Sequence, residues 1–468
     1  MAARSHRVVY AVLAFGVVSQ PLLQAMTVPA LPEIQRRFAA DQSTAAWVLT
    51  AFLLAASVAT PIGGRIGDAF GKTRVFAVSL GLLALGSVLA ALAPTIEVLI
   101  AARAVQGLGG GAVPLAFAML RDHLPEPRVR SAVALTSSLL SVGFAVGIVV
   151  AGPILDVIGY HGLFLLPAAA AAAGAVAAVL LIPESPDRTG GAISVTPALL
   201  LAGWLVTLLL GISRGPAAGW TSAGVVALLA MSVTLAAAWL LAEARARTPL
   251  VDLRMMTLRG VWSANLVALM IGIAMYGSFA FLPQFNQTPS ANGYGFDASV
   301  TEAGHMMIPS SVLSFLCGLS AARVAATIGV RLSIVLGSVA TAAALLMTTI
   351  AHDAVWEVIA ASCLSGVGTG IVFANLANAI VDAVPAAQTG AAIGMNANIR
   401  IIGGAVGAAV TVTIVSADLL PSGYPTEDGY VRGFAFLAAA SVIAATAALL
   451  LPARHPPPAP LGSPRWRP

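Results

Sequence analysis

Residues 100–111 read IAARAVQGLGGG, and residues 359–370 read IAASCLSGVGTG. Laid on each other, Gly107, Gly109 and Gly111 fall on Gly366, Gly368 and Gly370. Upstream, GGRIGDAFGKTR (residues 63–74) falls on SAARVAATIGVR (residues 320–331), so that Gly71 meets Gly329 and Arg65 meets Arg323. Downstream, Gly143 and Gly147 meet Gly403 and Gly407. Three separate apolar segments hold register in order, which reads as an internal repeat of the kind that builds membrane transporters.

Composition fixes the solvent. Of the 468 residues 59% are hydrophobic and 9% charged, with a mean hydropathy of +0.92. An ordinary soluble domain carries about 25% charged residues, so this chain has too few to cover a water-facing surface. A span needs roughly 20 apolar residues. Such segments lie near residues 8–31, 45–66, 74–94, 96–120, 130–155, 161–182, 195–213, 221–242, 260–284, 300–322, 331–350, 355–381, 388–416 and 430–451. The expected fold is all-α: a polytopic membrane protein with about fourteen transmembrane helices, two pseudo-symmetric six-helix bundles and two extra central helices. The first bundle is expected over 1–186, the extra pair and linker over 187–250, the second bundle over 251–455, and a disordered proline-rich tail over 456–468. The N-terminal apolar run has no small-residue cleavage site and reads as a retained helix.

The net charge of +5 is unevenly placed. Among the 24 lysines and arginines, Arg36, Arg37, Arg214 and Arg432 fall on one side of the spans. Arg103 and Arg400 lie inside spans, and all the rest fall on the other side. The positive-inside rule puts that richer side, and both termini, in the cytoplasm. The basic balance thus reflects topology and gives no reason to expect nucleic-acid binding. Cys317 and Cys363 both fall in apolar segments, which excludes a disulfide framework and a thiol metal site. No paired carboxylates, zinc-type histidine cluster or serine elbow is present, so no enzyme, cofactor or metal is expected. Phe70-Gly71-Lys72-Thr73 resembles the end of a Walker A loop, but the glycine required five residues before Gly71 is Ile66, so ATP is not an expected partner.

Four groups of residues carry candidate chemistry. Gly64, Arg65, Asp68, Gly71, Lys72 and Arg74 make a tight basic turn between spans two and three. Arg103, Gln106 and Gly107 lie in span four, where a charge costs from about 2.5 kcal/mol upward and must face a cavity. Gly147, Gly152 and Pro153 form a helix-bending set in span five, followed by Asp156. Polar residues line the second bundle: Asn265, Tyr276, Gln284, His305, Asn375, Asn378, Asn396, Asn398 and Arg400. Amides in membrane helices also serve as interhelical glue, and His305 is a group able to titrate near neutrality.

These residues resemble the major facilitator superfamily. Its signature G-x-x-x-D-x-x-G-R-[KR] is matched by Gly64 to Asp68 and then Gly71-Lys72, with Arg74 close behind. Its fourth-span signature R-x-x-Q-G is matched by Arg103, Gln106 and Gly107. Fourteen spans with two extra in the middle resemble the drug:proton antiporter branch, as do residues 282–304 and 394–407. The resemblance implies a cytoplasmic gate at Gly64–Arg74, a role for Arg103 in proton coupling, and an antiporter motif at Gly152-Pro153. Two departures stand out. After Gly152-Pro153 the expected glycines are Asp156 and Val157. In span one, the expected acid and asparagine are replaced by Leu23 and Val28 of LQAMTVPALP (residues 23–32). Arg103 thereby loses its acidic partner; Gln24 is a residue able to hydrogen-bond it, and Asp156, Glu302 and His305 are the substitute proton carriers to test.

The expectation is therefore a secondary transporter of the cytoplasmic membrane. It would export lipophilic small molecules, neutral or weakly charged, by alternating access and proton antiport. Gln24, Asn265, Tyr276, Gln284, Asn375, Asn378, Asn396 and Asn398 would line the substrate cavity. An importer on the same fold, or a non-transporting sensor or scaffold, are the alternatives. Flux direction separates the first; the absence of flux marks the second.

Overall fold

In a bilayer core the backbone must satisfy its own hydrogen bonds, and the helix does so within one segment. The computed structural model describes residues 2–184, 195–246, 253–384 and 389–452. These are helical apart from turns and one isolated antiparallel bridge between Leu419 and Pro425. The bundle boundaries expected at 186, 250 and 455, and the tail 456–468, lie outside the described residues.

The first bundle holds α1 (Ala2–Thr27), α2 (Leu31–Phe38), α3 (Gln42–Phe70), α4 (Lys72–Ala91), α5 (Ile96–Gly107), α6 (Ala112–His123), α7 (Glu126–Ile158) and α8 (Tyr160–Leu181). The extra pair is α9 (Val195–Ala218) and α10 (Ala223–Arg245). After the short α11 (Leu253–Met256), the second bundle holds α12 (Arg259–Gln287), α13 (Val300–Ile328), α14 (Val330–Ile350), α15 (Val355–Ala383), α16 (Thr389–Val415) and α17 (Glu427–Ala448). Among the described residues 13 helices are long and apolar enough to cross a membrane, counting α5 and α6 as one span. The 33-residue α7 adds a shorter apolar stretch, Val142–Ile158.

Two boundaries differ from the sequence reading for physical reasons. Span one ends at Thr27, and the chain re-enters as the separate α2, with Pro32 in its first turn. There Arg36 pairs with Glu33 at 2.5 Å, and the Arg37 guanidinium lies 4.5 Å over the Tyr160 ring. Span four is not one continuous α-helix: Leu108–Gly111, which holds three successive glycines, tightens to a 3-10 step.

The repeat is visible as matched close approaches. A Cβ on Gly107 would lie 2.4 Å from the Phe52 carbonyl oxygen in α3, and one on Gly366 would lie 2.2 Å from the Ser310 carbonyl oxygen in α13. Each is the fourth span of its bundle pressed onto the second. Gly71 and Gly329 occupy equivalent turns with φ of 109° and 87°, a region that favours glycine.

Between the bundles, α7 runs along α13 and α3 along α16. Helix α9 rests on both α3 and α16, where Ala198 packs with Ile62 and Met395. One end of the spans carries most arginines and the other most acids. At the acidic end the helix N-termini explain several carboxylates. Asp41 accepts from the Thr44 N–H at 2.6 Å, and Glu302 completes a capping box with Ser299. Glu357 accepts from the Asp353 and Ala354 N–H groups. Carboxylates stabilise helix starts by caps and by the helix dipole.

Candidate functional site

Gln24, Val28, Leu49, Leu53, Arg103, Phe144, Tyr276, Phe279 and Ala408 surround a central cavity of about 10 Å³, roughly the room of one water molecule. The cavity draws on α1, α3, α5, α7, α12 and α16, and so lies between the two bundles. Phe144 of the first bundle meets Phe279 of the second at 4.8 Å between ring centroids and Tyr276 at 6.5 Å. Aromatic faces thus close the middle of the molecule.

Arg103 is fully buried. Its Nε donates to the Val48 carbonyl at 2.9 Å and its Nη1 to Gln106 Oε1 at 2.8 Å. The Gln106 amide donates to Ser87 Oγ at 2.9 Å, which fixes the direction of the amide, and Ser87 in turn donates to the Leu83 carbonyl. The guanidinium lies 4.7 Å over the Phe52 ring. Hydrogen bonds to a charged group contribute about 1.5–3 kcal/mol each and a desolvated cation–π contact up to about 2 kcal/mol. These offset the cost of a charge inside the membrane without any acid. Gln24 stands on the same cavity but faces Tyr276; the place of the missing acid is taken by a carbonyl, an amide and a ring.

The other arginine inside a span, Arg400 on α16, is half-buried. Its guanidinium lies 4.6 Å over the Phe373 ring. Of the amides expected in the cavity, the structure places Gln24 there, together with Tyr276. Asn396 instead donates to Asn265 Oδ1 at 3.0 Å and to the Ala264 carbonyl at 3.1 Å, tying α16 to α12. Asn265 donates on to the Met256 sulfur. Asn375 is buried and bonds its own helix at Ile371, whereas Asn378 is exposed. Gln284 and Asn398 are buried. Sequence reasoning missed Leu49, Leu53, Phe144 and Phe279, because an apolar residue in an apolar helix carries no local mark.

The basic turn is clamped inside its own bundle. Lys72 Nζ pairs with Asp122 at 2.7 Å, and both side chains are largely buried. Glu184, at the end of span six, accepts from the Thr73 N–H at 3.0 Å and lies 3.7 Å from Arg74 Nε. A Cβ on Gly71 would strike the Glu184 carboxylate at 2.6 Å. Gly64 and Arg65 are half-buried in the last turns of α3, and the Asp68 side chain lies outside the described residues. Asp122 and Glu184 are the partners the sequence did not reveal; basic and acidic residues at successive ends of spans on one side were the available signal.

At the opposite end, α7 and α13 touch. Thr301 donates to Asp156 at 2.6 Å, and a Cβ on Gly152 would overlap the Thr301 Cα at 2.3 Å. Gly147 lets α7 lie on α1 at Leu22, and Pro153 is exposed. Glu302 and His305 are exposed on α13 along one stripe with Val312, Leu316 and Leu319, and Glu302 is engaged as a cap. Asp156, Glu302 and His305 are therefore brought to one end of the α7–α13 seam, away from the central cavity.

Comparison with known proteins agrees with this architecture. Residues 13–294 and 267–467 match the family model described as Major Facilitator Superfamily. The chain is 31% identical over 372 residues to the methylenomycin A resistance protein of Streptomyces coelicolor, covering 78% of this chain and 76% of that protein. It is 27% identical over 391 residues to the multidrug resistance protein Stp of Mycobacterium tuberculosis, covering 83% of this chain and 72% of that one. Its fold is similar to that of a POT family transporter solved with 5-aminolevulinic acid, with a TM-score of 0.69, 14% identity and 95% of each chain covered. Two repeated bundles around a buried arginine, matched over nearly their whole length by one family, make this chain a member of the Major Facilitator Superfamily of transporters.

Proposed function

We propose that the protein exports lipophilic small molecules, drugs or antibiotics, from the cytoplasm by alternating access of its two bundles, driven by proton antiport. The observation that carries the reading is the cavity at Arg103, Phe144 and Tyr276, which is apolar, central and built from both bundles. Relatives at 27–31% identity named for multidrug or antibiotic resistance support the export direction. The bundles touch towards both ends, at Gly152–Thr301 and at Pro114–Gly394, as expected of an occluded intermediate. The arginine-rich end faces the cytoplasm in this reading, with both termini there. Lys72–Asp122 and Glu184 then brace the cytoplasmic gate turn, and Asp156 bridges the outer seam. Asp156 is the candidate proton carrier that bonds the opposite bundle; Glu302 and His305 remain candidates on the same rim.

The test is transport in liposomes of defined orientation, with a pH gradient and a lipophilic dye. Gradient-driven dye movement, accompanied by proton flux and abolished in Arg103→Ala, supports proton-coupled export. Accumulation against the expected direction marks an importer. No movement with folded protein sinks the reading.

A further inference from the structure

The Arg103 guanidinium is fully buried among the spans, and the buried carboxylate of Glu243, in the last turn of α10, is not among the groups that line its cavity. The 19 acids all lie near span ends. Among the described residues no carboxylate pairs with Arg103 or Arg400. Buried charges are ordinarily paired, so Arg103 is a buried positive charge that no carboxylate among the described residues neutralises.

The geometry at Arg103 shows where a counter-charge fits. Nε and Nη1 are spent on Val48 and Gln106, while Nη2 has no partner among the described residues, though the side chain is fully buried and lines the cavity. Gln106 cannot turn to serve it, because its amide nitrogen is committed to Ser87. Across the cavity stands Tyr276, whose hydroxyl faces Gln24. A cation entering here meets the positive charge of Arg103. The lining rings, Phe144, Tyr276 and Phe279, offer contact to the apolar body of a ligand of either charge. An organic anion meets a buried N–H donor, a phenol and an apolar bed of Leu49, Leu53, Phe144 and Phe279.

We propose that the central cavity takes lipophilic organic monoanions, with a carboxylate seated on Arg103 Nη2 and Tyr276 and the apolar body among the phenylalanines. The proposal deepens the export reading and rests on the bundles parting at this cavity to admit the ligand. Binding needs no gradient, so the two can fail separately.

The experiment uses the full chain in phosphatidylcholine nanodiscs and three pyrene probes of one shape: pyrenebutyrate, its methyl ester and a pyrenebutyl trimethylammonium. Equilibrium dialysis is read in excess of protein-free nanodiscs. The carboxylate is expected to bind about tenfold tighter than the ester or more, as a charge-assisted hydrogen bond predicts, with the ammonium weakest. Arg103→Gln removes the preference and Arg103→Lys retains part of it. Equal binding of the three probes, a preference for the ammonium, or no binding at all overturns the proposal in the wild-type protein, whether or not a variant folds. A clear anion preference with no transport in liposomes would leave this site standing and sink export instead.

Discussion

At the scale of single residues, the unusual economy is at Arg103. A charge usually held by an acid is held by a carbonyl, an amide and a ring. Gln106 is the keystone, since it joins Arg103 to Ser87. Gln106→Leu is expected to lower stability by about 1.5–3 kcal/mol, the worth of a hydrogen bond to a charged group, measured by unfolding in mixed micelles. Unchanged stability would mean the guanidinium finds another acceptor. Lys72 and Asp122 form a largely buried pair. A double-mutant cycle of Lys72→Met and Asp122→Leu is expected to give a coupling of about 1–2 kcal/mol; additivity of the two changes would remove the pair from the account of the gate turn.

At the scale of helices, closeness decides. Gly107→Ala would press a methyl group on the Phe52 carbonyl, whereas a Cβ at Gly64 meets nothing within 4 Å. The first is expected to cost about 1–3 kcal/mol and the second under about 0.5 kcal/mol, compared by the same unfolding assay. Gly152→Val is a different kind of change. It wedges α7 from α13 at Thr301, so transport is expected to fall at least about tenfold while the protein still folds. Full transport by this variant would show that the α7–α13 contact is not part of the cycle.

Helices and their glycines were legible in the sequence because their signals are local and repeat: apolar runs, and small residues at matched places. Arg103, Gln106, Gln24 and Tyr276 were legible as polar groups where polar groups are costly. Phe144 and Phe279 were not, because their importance comes from facing each other across two bundles. Asp122 and Glu184 were hidden for the same reason: they lie about fifty and a hundred and ten residues from the turn they brace. The amides Asn265 and Asn396 were legible as polar but not as partners of each other.

At the scale of the whole molecule, alternating access makes a prediction about contacts that must break. Gly394 and Pro114 sit on opposite bundles, with a Cβ on Gly394 placed 3.4 Å from that of Pro114, close to the spacing of a disulfide. With Cys317 and Cys363 replaced by serine, Pro114→Cys with Gly394→Cys is expected to cross-link under oxidation and stop transport, with recovery on reduction. Transport that continues through the cross-link would show that the bundles need not part there.

Two kindred bundles would by themselves give a molecule with two equivalent flanks. Because α9 lies over α3 and α16, this one has a shuttered flank and a bare one. Among the described residues, no further helix is laid over the seam of α7 and α13 as α9 is over that of α3 and α16. On the shuttered side, any rocking must either carry α9 with one bundle or shear Ala198 past Ile62 or Met395. The extra pair therefore makes a near-symmetric molecule handed, with one seam covered and the other open.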